Sequence, residues 1–404
     1  MRILIVTAGS RGDVAPFTGL GRRLVEAGHQ VTVAAHPPFA ALIGACGLGH
    51  RPVPGDPQEL IRARTASPEQ AREASRAYVE GLAGGVARAV ADGTDLVLTA
   101  FGPAPFSRAA GEAFGVPVVG TYLAPAFATR RFPLPGAPET GPPGPEGNLA
   151  AGRGVLSRAD GFFADAVNRL RASLGLPVGT PPSVSGAGGV RPVFHGFSPL
   201  VVPRPADWPP GVGVAGYWWP ARPEDWRPPA ELADFLRAGP PPVFIGFGSM
   251  APGQGERLGE LVTGAVRRAG VRAIVQAGWA GLGGHGPDVL AVGELPHDWL
   301  LPRTAAVVHH AGAGTTAAGL RAGVPAVPVP VMADQPFWAS RLHELGVAPR
   351  PLPFQDLTAA GLGDAITACL AEPAHRRRAA DLARRLAAED GAAPVLAHVA
   401  AAGG

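Results

Sequence analysis

The chain contains no lysine, so all 35 of its basic residues are arginine. That excludes a Schiff-base lysine, a P-loop lysine and a kinase-type lysine together. Cysteine is nearly absent too. Cys46 and Cys369 cannot build a disulfide framework or a cysteine-based zinc site, and they read as buried free thiols of a reducing cytoplasm. Charged residues make up 17% of the chain and sum to +3 over 404 residues. The one basic triplet is Arg376-Arg377-Arg378. This is too little for a nucleic-acid-binding protein and allows at most weak peripheral contact with anionic lipid. No apolar run reaches membrane-spanning length, roughly 18 residues. The opening Met1 to Val6 is too short for the apolar region of a signal peptide. A cytoplasmic location is therefore expected, and oligomeric state is left open.

What is abundant is glycine and proline, 57 and 46 residues, against a hydrophobic fraction of 46%. That fraction can bury a large core, so glycine and proline punctuate a fold rather than replace one. The arginine, alanine, glycine and proline excess also fits GC-rich coding.

The pattern is a repeated βα unit. Arg2 to Thr7 is a continuous apolar run, as in a buried parallel strand. A glycine loop follows, then a helix from Pro16 to Ala27 and a strand from Val31 to Ala34. Asp95 to Thr99, Pro105 to Phe114, Val116 to Gly120 and Ala159 to Leu174 continue the alternation, with a loop at Pro133 to Pro145. Residues 203–229 hold eight prolines and four of the seven tryptophans and read as an interdomain linker. The pattern restarts at Val243 and runs to an arginine-rich last helix, Arg376 to Ala388. The expected fold is α/β: two facing Rossmann-like domains with parallel sheets, 1–202 and 230–404. The last helix is a candidate to pack back on the first domain. The expected ligand site is an interdomain cleft at the C-terminal ends of both sheets.

Val307 to Pro325 carries the most chemistry. It reads strand, histidine pair, glycine turn, helix. Gly312 and Gly314 let backbone N–H groups approach a ligand. Thr315 and Thr316 open a helix whose N-terminus favours a phosphate, and His310 adds a donor. The bland alternative is a plain strand-to-helix turn with two core histidines. Asp334 and Gln335 can hold vicinal hydroxyls, as on a sugar, or can simply cap a helix. Gly246 to Met250 is a second turn suited to an anion, with Ser249 as a phosphate contact, or else only a tight βα turn. Asp13, in Gly9-Ser10-Arg11-Gly12-Asp13, can accept a proton from a substrate hydroxyl or cap the next helix. Several other chemistries lack their signatures. There is no Asp-x-Asp, no i, i+4 histidine pair, no complete Gly-x-Gly-x-x-Gly after either opening strand and no Gly-x-Ser-x-Gly elbow. No metal site and no cofactor are expected.

Four stretches together resemble the GT-B-fold, nucleotide-sugar-dependent glycosyltransferases of the UDP-glycosyltransferase superfamily, in the branch of sterol 3β-glucosyltransferase-like and antibiotic enzymes. They are GSRGDVAPF from Gly9, GYWW from Gly216, PPPVFIGFGSM from Pro240, and the long run from Val292 to Pro349. The resemblance covers the C-terminal half and the opening of the N-terminal half. It implies that Asp13 is the catalytic base. His310, Gly312, Gly314 and Thr315 would bind the donor diphosphate, with Ser249 as a further phosphate contact. Asp334 and Gln335 would hold the sugar. Leu295, Pro296 and His297 would cradle base and ribose, with Trp279 near the base. Ala311 stands where most relatives have glycine, and its methyl would crowd the turn if φ were positive.

The implied reaction is inverting, metal-independent transfer of a hexose from UDP-glucose or a dTDP-sugar, a co-substrate rather than a cofactor. The acceptor would be an apolar small molecule such as a sterol, polyketide or macrolide. Ser10, Phe106, Phe127, Phe132 and Phe162 are its candidate contacts, while Phe101 and Phe163 read as ordinary packing. The rivals are a GT-B nucleotide-sugar epimerase, whose acid–base groups are not found, a non-catalytic nucleotide-sugar-binding partner of another transferase, and a nucleotide-independent protein built on a Rossmann-like pair.

Overall fold

The computed structural model describes residues 1–64, 67–138, 144–179, 192–223, 225–250, 253–284 and 286–403. It divides into two compact units, Met1–Pro223 with Asp390–Gly404, and Glu224–Glu389.

The first unit runs β1 (Arg2–Val6), α1 (Arg11–Glu26), β2 (Gln30–Ala35), α2 (Ala40–Ala45), β3 (Gly49–Pro52), α3 (Pro57–Arg64), α4 (Pro68–Ala91), β4 (Leu96–Thr99), α5 (Ala104–Phe114), β5 (Val118–Tyr122), α6 (Pro145–Ser173), β6 (Val193–His195) and β7 (Val212–Val214). Its parallel sheet has the order β3-β2-β1-β4-β5-β6-β7. β1 is apolar throughout because both its faces are covered. Ile3 and Ile5 pack with Phe17, Leu20 and Leu24 of α1. Leu4 and Val6 point the other way, onto Val79 and Val86 of α4, Phe106 of α5 and Val167 of α6.

The second unit runs α7 (Ala230–Arg237), β8 (Val243–Gly246), α8 (Gly255–Ala269), β9 (Ala273–Gln276), β10 (Val289–Val292), α9 (His297–Leu300), β11 (Ala306–His309), α10 (Ala313–Ala322), β12 (Ala326–Pro328), α11 (Gln335–Glu344), α12 (Ala359–Ala371) and α13 (Pro373–Leu386). Its sheet order is β10-β9-β8-β11-β12, all parallel. The first five strands of each unit thus share one order, which reverses between the first and fourth strand. Doubly wound sheets bind ligands beyond the C-terminal ends of the strands at that reversal. Asp13 follows β1, Ser249 follows β8 and His310 follows β11, so all three stand at a reversal point.

Several expectations need correcting. The first helix starts at Arg11, so Pro16 lies inside it; proline most often marks a first helical position, and here it sits a turn further in. The helix expected from Ala159 begins at Pro145, its early pattern blurred by glycines. One of them, Gly152, packs where a Cβ would come 2.9 Å from Ala128. Part of the loop read over 133–145 lies outside the described residues.

The stretch read as a linker contributes β7 to the first sheet, and its residues up to Pro223 belong to the first unit. Ahead of and at the start of that short strand, a guanidinium rather than a ladder meets the carbonyls. Arg204 donates to the carbonyls of Pro205, Trp208, Pro209 and Val212. The last helix is not Arg376 to Ala388. The chain ends in α14 (Ala393–Gly403), which belongs to the first unit. There Val395 and Val399 enter the core, Asp390 pairs with Arg23 at 2.8 Å and Trp218 Nε1 donates to the Gly391 carbonyl at 2.8 Å.

Two glycine substitutions test this packing. A Cβ on Gly19 would meet the Trp219 carbonyl oxygen, at 1.7 Å, whereas one on Gly44 would meet nothing within 4 Å. Gly19→Ala is expected to destabilise by about 1–3 kcal/mol or more through overpacking. Gly44→Ala, in an open helical position, should stabilise by up to ~1 kcal/mol. Urea denaturation of both variants checks this.

Candidate functional site

In the second unit Ser249, His310, Gly312, Gly314 and Thr315 lie just beyond β8 and β11, Trp279 beyond β9, Leu295 to His297 beyond β10, and Asp334 and Gln335 beyond β12. Gly248 adopts φ +58° and Gly278 φ +54°. A Cβ on Gly278 would fall 2.3 Å from the Gly248 carbonyl oxygen, and that oxygen accepts the Trp279 N–H at 2.9 Å. These glycines bring half-buried Trp279 beside the Ser249 loop. The His310 ring sits between Gly248 and a third glycine, Gly312. A Cβ on Gly248 would lie 2.8 Å from its Cε1, and one on Gly312 would lie 2.4 Å from its Nε2. Gly312 was read from sequence as room for a ligand. Its first effect is room for the imidazole.

α10 begins directly after that ring. Its N-cap is Gly312, with no side-chain cap, so the N–H groups of the first turn stay available to an anion, with the helix dipole behind them. Gly314 and Thr315 are half-buried in this turn. Burial pushes the His310 pKa down to about 4, with His297 lowering it further. At neutral pH His310 is therefore an uncharged imidazole acting through one N–H. His309 is fully buried and pushed down to about 3, by burial first and then by His310 and His297.

Ala311 has φ +61° and is fully buried. The methyl that the sequence flagged thus does sit in the left-handed region, where a non-glycine residue costs roughly 1–2 kcal/mol. Among the described residues the other such case is Ala333, φ +59°, next to Asp334. Strained backbone of this kind gathers at functional sites. Both positions stand at the turns that lead into α10 and α11.

Asp334 accepts from Trp338 Nε1 at 2.8 Å. Burial raises its pKa, and the Trp338 bond opposes the rise. Gln335 Oε1 accepts the backbone N–H groups of Val331 and Met332 at 2.8 and 3.0 Å. Its oxygen is thereby fixed, which leaves the NH₂ end to donate. Trp338 was missed by the sequence reading, although its i+4 spacing from Asp334 is a usable signal. Leu295 is a core side chain beside Leu300 and Val307, which leaves no exposed side-chain face to cradle a base. Pro296 precedes α9 as its N-cap. His297 is half-buried and meets Phe244 edge-on at 5.5 Å.

In the first unit, Asp13 is the third residue of α1. Its Oδ2 accepts from Ser10 N at 2.7 Å and Ser10 Oγ at 3.0 Å. Asp13 is therefore not the N-cap, which is Ser10; it stands at the third helical position and closes a capping box back onto Ser10. A Cβ on Gly9, at φ +124°, would lie 2.4 Å from the same oxygen. The proposed acceptor phenylalanines separate into two places. Phe127 and Phe132 pack on Trp208, with ring centroids at 6.0 and 6.5 Å. Phe106 is fully buried between α4, α5 and α6 and meets Phe163 edge-on at 5.7 Å. It is a core residue with no face for an acceptor. Phe162 is exposed on α6 and also packs on Phe163, at 5.0 Å. Sequence reasoning also missed His195, fully buried and stacked on Trp208 at 4.7 Å, with burial holding its pKa down at about 4. Among the described residues no three His, Cys, Asp or Glu side chains gather as a metal site, and no helix is long and apolar enough to cross a membrane.

Two parallel-sheet units, each with a glycine turn at its reversal point, define a GT-B-type protein. Structural comparison agrees. The glycosyltransferase of kitacinnamycin matches over 99% of this chain and 98% of its own, with a TM-score of 0.72 at 21% identity. The glycosyltransferase VinC, solved in complex with dTDP, matches with a TM-score of 0.67 at 22% identity over 100% and 99% of the two chains. Residues 3–86 match the glycosyltransferase family 28 N-terminal domain. Residues 271–402 match the erythromycin biosynthesis protein CIII-like C-terminal domain. O-mycaminosyltylonolide 6-deoxyallosyltransferase of Streptomyces fradiae is 37% identical over 97% of this chain and 95% of its own length. Sterol 3-beta-glucosyltransferase UGT80A2 of Arabidopsis thaliana is 34% identical over 97% of this chain and 64% of its own. The chain belongs to this glycosyltransferase family.

Three histidines with lowered pKa values, His195 and His309 fully buried and His310 half-buried, set an acid limit on the fold. His195, His309 and His310 have folded pKa values of about 4, 3 and 4, against roughly 6.5 in an unfolded chain. Between these values the unfolded state binds more protons, so stability falls as pH drops from about 6.5 toward 4, by up to ~1.4 kcal/mol per pH unit for each histidine. Asp334, raised by burial, works in the opposite direction as one group against three. The melting temperature is expected to be lower at pH 5 than at pH 7, and His195→Phe should narrow the gap. Equal melting temperatures at the two pH values would contradict this.

Proposed function

We propose that the chain transfers a hexose, glucose from UDP-glucose in the first instance, with inversion and without a metal ion, to a hydroxyl of an apolar small molecule such as a sterol, polyketide or macrolide. The observation that carries this is the uncapped N-terminus of α10 directly behind the glycine-seated His310. Amide donors, a helix dipole and a neutral imidazole N–H can receive the charge that develops on a departing nucleoside diphosphate. No lysine is needed for that. A divalent ion is not required either, because the dipoles are fixed before the reaction and cost little reorganisation.

Sugar recognition falls to Asp334 and Gln335. The carboxylate accepts from hydroxyls, while the Gln335 NH₂ donates to them, its oxygen being held by Val331 and Met332. Trp338 fixes the carboxylate. Ser249 and Trp279 serve the phosphate and the base. Asp13 takes the proton of the acceptor hydroxyl as the new bond forms at the anomeric carbon, and the proton moves onto the carboxylate. Ser10 orients Asp13 through Oδ2. A carboxylate that also caps a helix is a weak base, so the transfer comes late, concerted with bond formation. Phe132, half-buried, is the acceptor contact this reading retains; Phe127 is only 4% exposed and drops out with Phe106 as a core residue.

The relatives support an apolar acceptor, since one is named for a sterol and another for a tylonolide macrolide. The donor nucleotide is chosen by experiment. The protein is incubated with UDP-glucose or dTDP-glucose and a panel of sterols and macrolactones, and nucleoside diphosphate release and product mass are measured. Asp13→Asn is expected to lower kcat about 10²-fold or more while leaving diphosphate binding within about threefold. Unchanged turnover in Asp13→Asn removes Asp13 as the base. Tight diphosphate binding with no turnover on any acceptor favours a binding partner instead.

A further inference from the structure

We propose that His309 is a positioning residue. Its imidazole clamps the left-handed turn at Ala311 and so sets His310 and the first turn of α10. The consequence for the donor rests on the diphosphate reading above; the clamp itself does not.

Ala311 holds φ +61° without the freedom of glycine and without the side-chain hydrogen bond that asparagine or aspartate brings to this region. Something nearby must hold it there. His309 Nδ1 accepts the Ala311 N–H at 3.1 Å, across the residue that carries the His310 ring. Because Nδ1 accepts, the hydrogen of the neutral ring sits on Nε2. That Nε2 is buried without a hydrogen-bond partner. Leucine or phenylalanine would fill the position with no orphaned donor, and a buried polar group left unpaired is costly. Histidine is therefore a poor choice for filling β11 and a good one for its Nδ1.

The strained alanine before α11 shows the same arrangement. Ala333 is bracketed by Gln335, whose Oε1 takes the N–H groups of Val331 and Met332. Both turns that carry a positive-φ alanine are tied by a side chain from within four residues. The clamp at Ala311 also removes that residue's N–H from the donors that can face an anion, so the anion is left to the α10 amides. Gly312 follows at once, and its missing Cβ is what gives His310 Nε2 room. A turn that relaxed at Ala311 would move Gly312 against the ring.

The test is a cycle of variants. His309→Asn places Oδ1 near the position of Nδ1 and can still accept the Ala311 N–H; His309→Leu cannot. Each is made alone and together with Ala311→Gly, which adopts the left-handed turn without help. Hydrogen exchange across residues 309–316 is measured on the intact chain, with binding of UDP and dTDP by calorimetry. His309→Leu is expected to speed exchange and weaken diphosphate binding about tenfold. His309→Asn should stay within about threefold of wild type. In the Ala311→Gly background the His309→Leu loss should shrink to less than about threefold. If His309→Leu fails to fold alone, its recovery by Ala311→Gly reads the same coupling. Equal effects of His309→Leu in both backgrounds, or exchange unmoved by it, overturn the proposal. If wild type binds neither nucleotide while exchange follows the expected pattern, the clamp stands and the diphosphate reading fails.

Discussion

The site depends on fitting an imidazole ring into a space that only glycines leave open. His310 can stand over the N-terminus of α10 because Gly248 and Gly312 carry no Cβ on either side of it. Those two glycines lie at the ends of β8 and β11. These strands are neighbours at the point where the sheet order reverses. Topology therefore puts the two loops side by side, and the missing side chains let the ring enter between them. The uncapped amides of α10 follow as a geometric consequence, since the strand, the ring and the helix are separated by only a few residues.

Holding that geometry requires backbone conformations that the sequence does not favour locally. Ala311 and Ala333 stand in the left-handed region, and each turn is tied by a nearby side-chain acceptor. Local propensity and global structure disagree most at functional sites, and both alanines stand at the turns proposed to meet the donor. Burial that keeps the His310 imidazole uncharged makes it a fixed dipole rather than a cation, in keeping with a chain that has no lysine at all.

Much of the fold was legible because buried parallel strands are continuous apolar runs and glycine turns end them. β1, β2 and β4 fall where the runs lie, within a residue at each end. What was not legible has identifiable causes. α6 was shortened in the reading because Gly152 and its neighbours serve close helix–loop packing rather than periodicity. The stretch from Pro203 looked like a linker because, up to the short β7, Arg204 rather than a strand ladder meets its carbonyls. α14 was missed because its alanine-rich sequence shows little polar alternation. Among the candidate site residues, His310, Gly312, Asp334 and Gln335 could be proposed from pattern. The roles of His309 and Trp338 could not, since hydrogen bonds to Ala311 N–H and Asp334 Oδ2 leave no trace in composition. Phe106 misled in the opposite sense. A phenylalanine beside a variable loop looks the same in sequence whether it faces a ligand or, as here, fills the core.

The central claim is that α10 seats the donor diphosphate with His310 beside it. The most direct measurement is a crystal structure of this protein with UDP or dTDP bound. The account predicts phosphate oxygens within about 3 Å of the amides of Ala313, Gly314 and Thr315 and of the His310 ring, an ordinary hydrogen-bond distance. A diphosphate bound elsewhere, with the α10 amides facing only water, would contradict it.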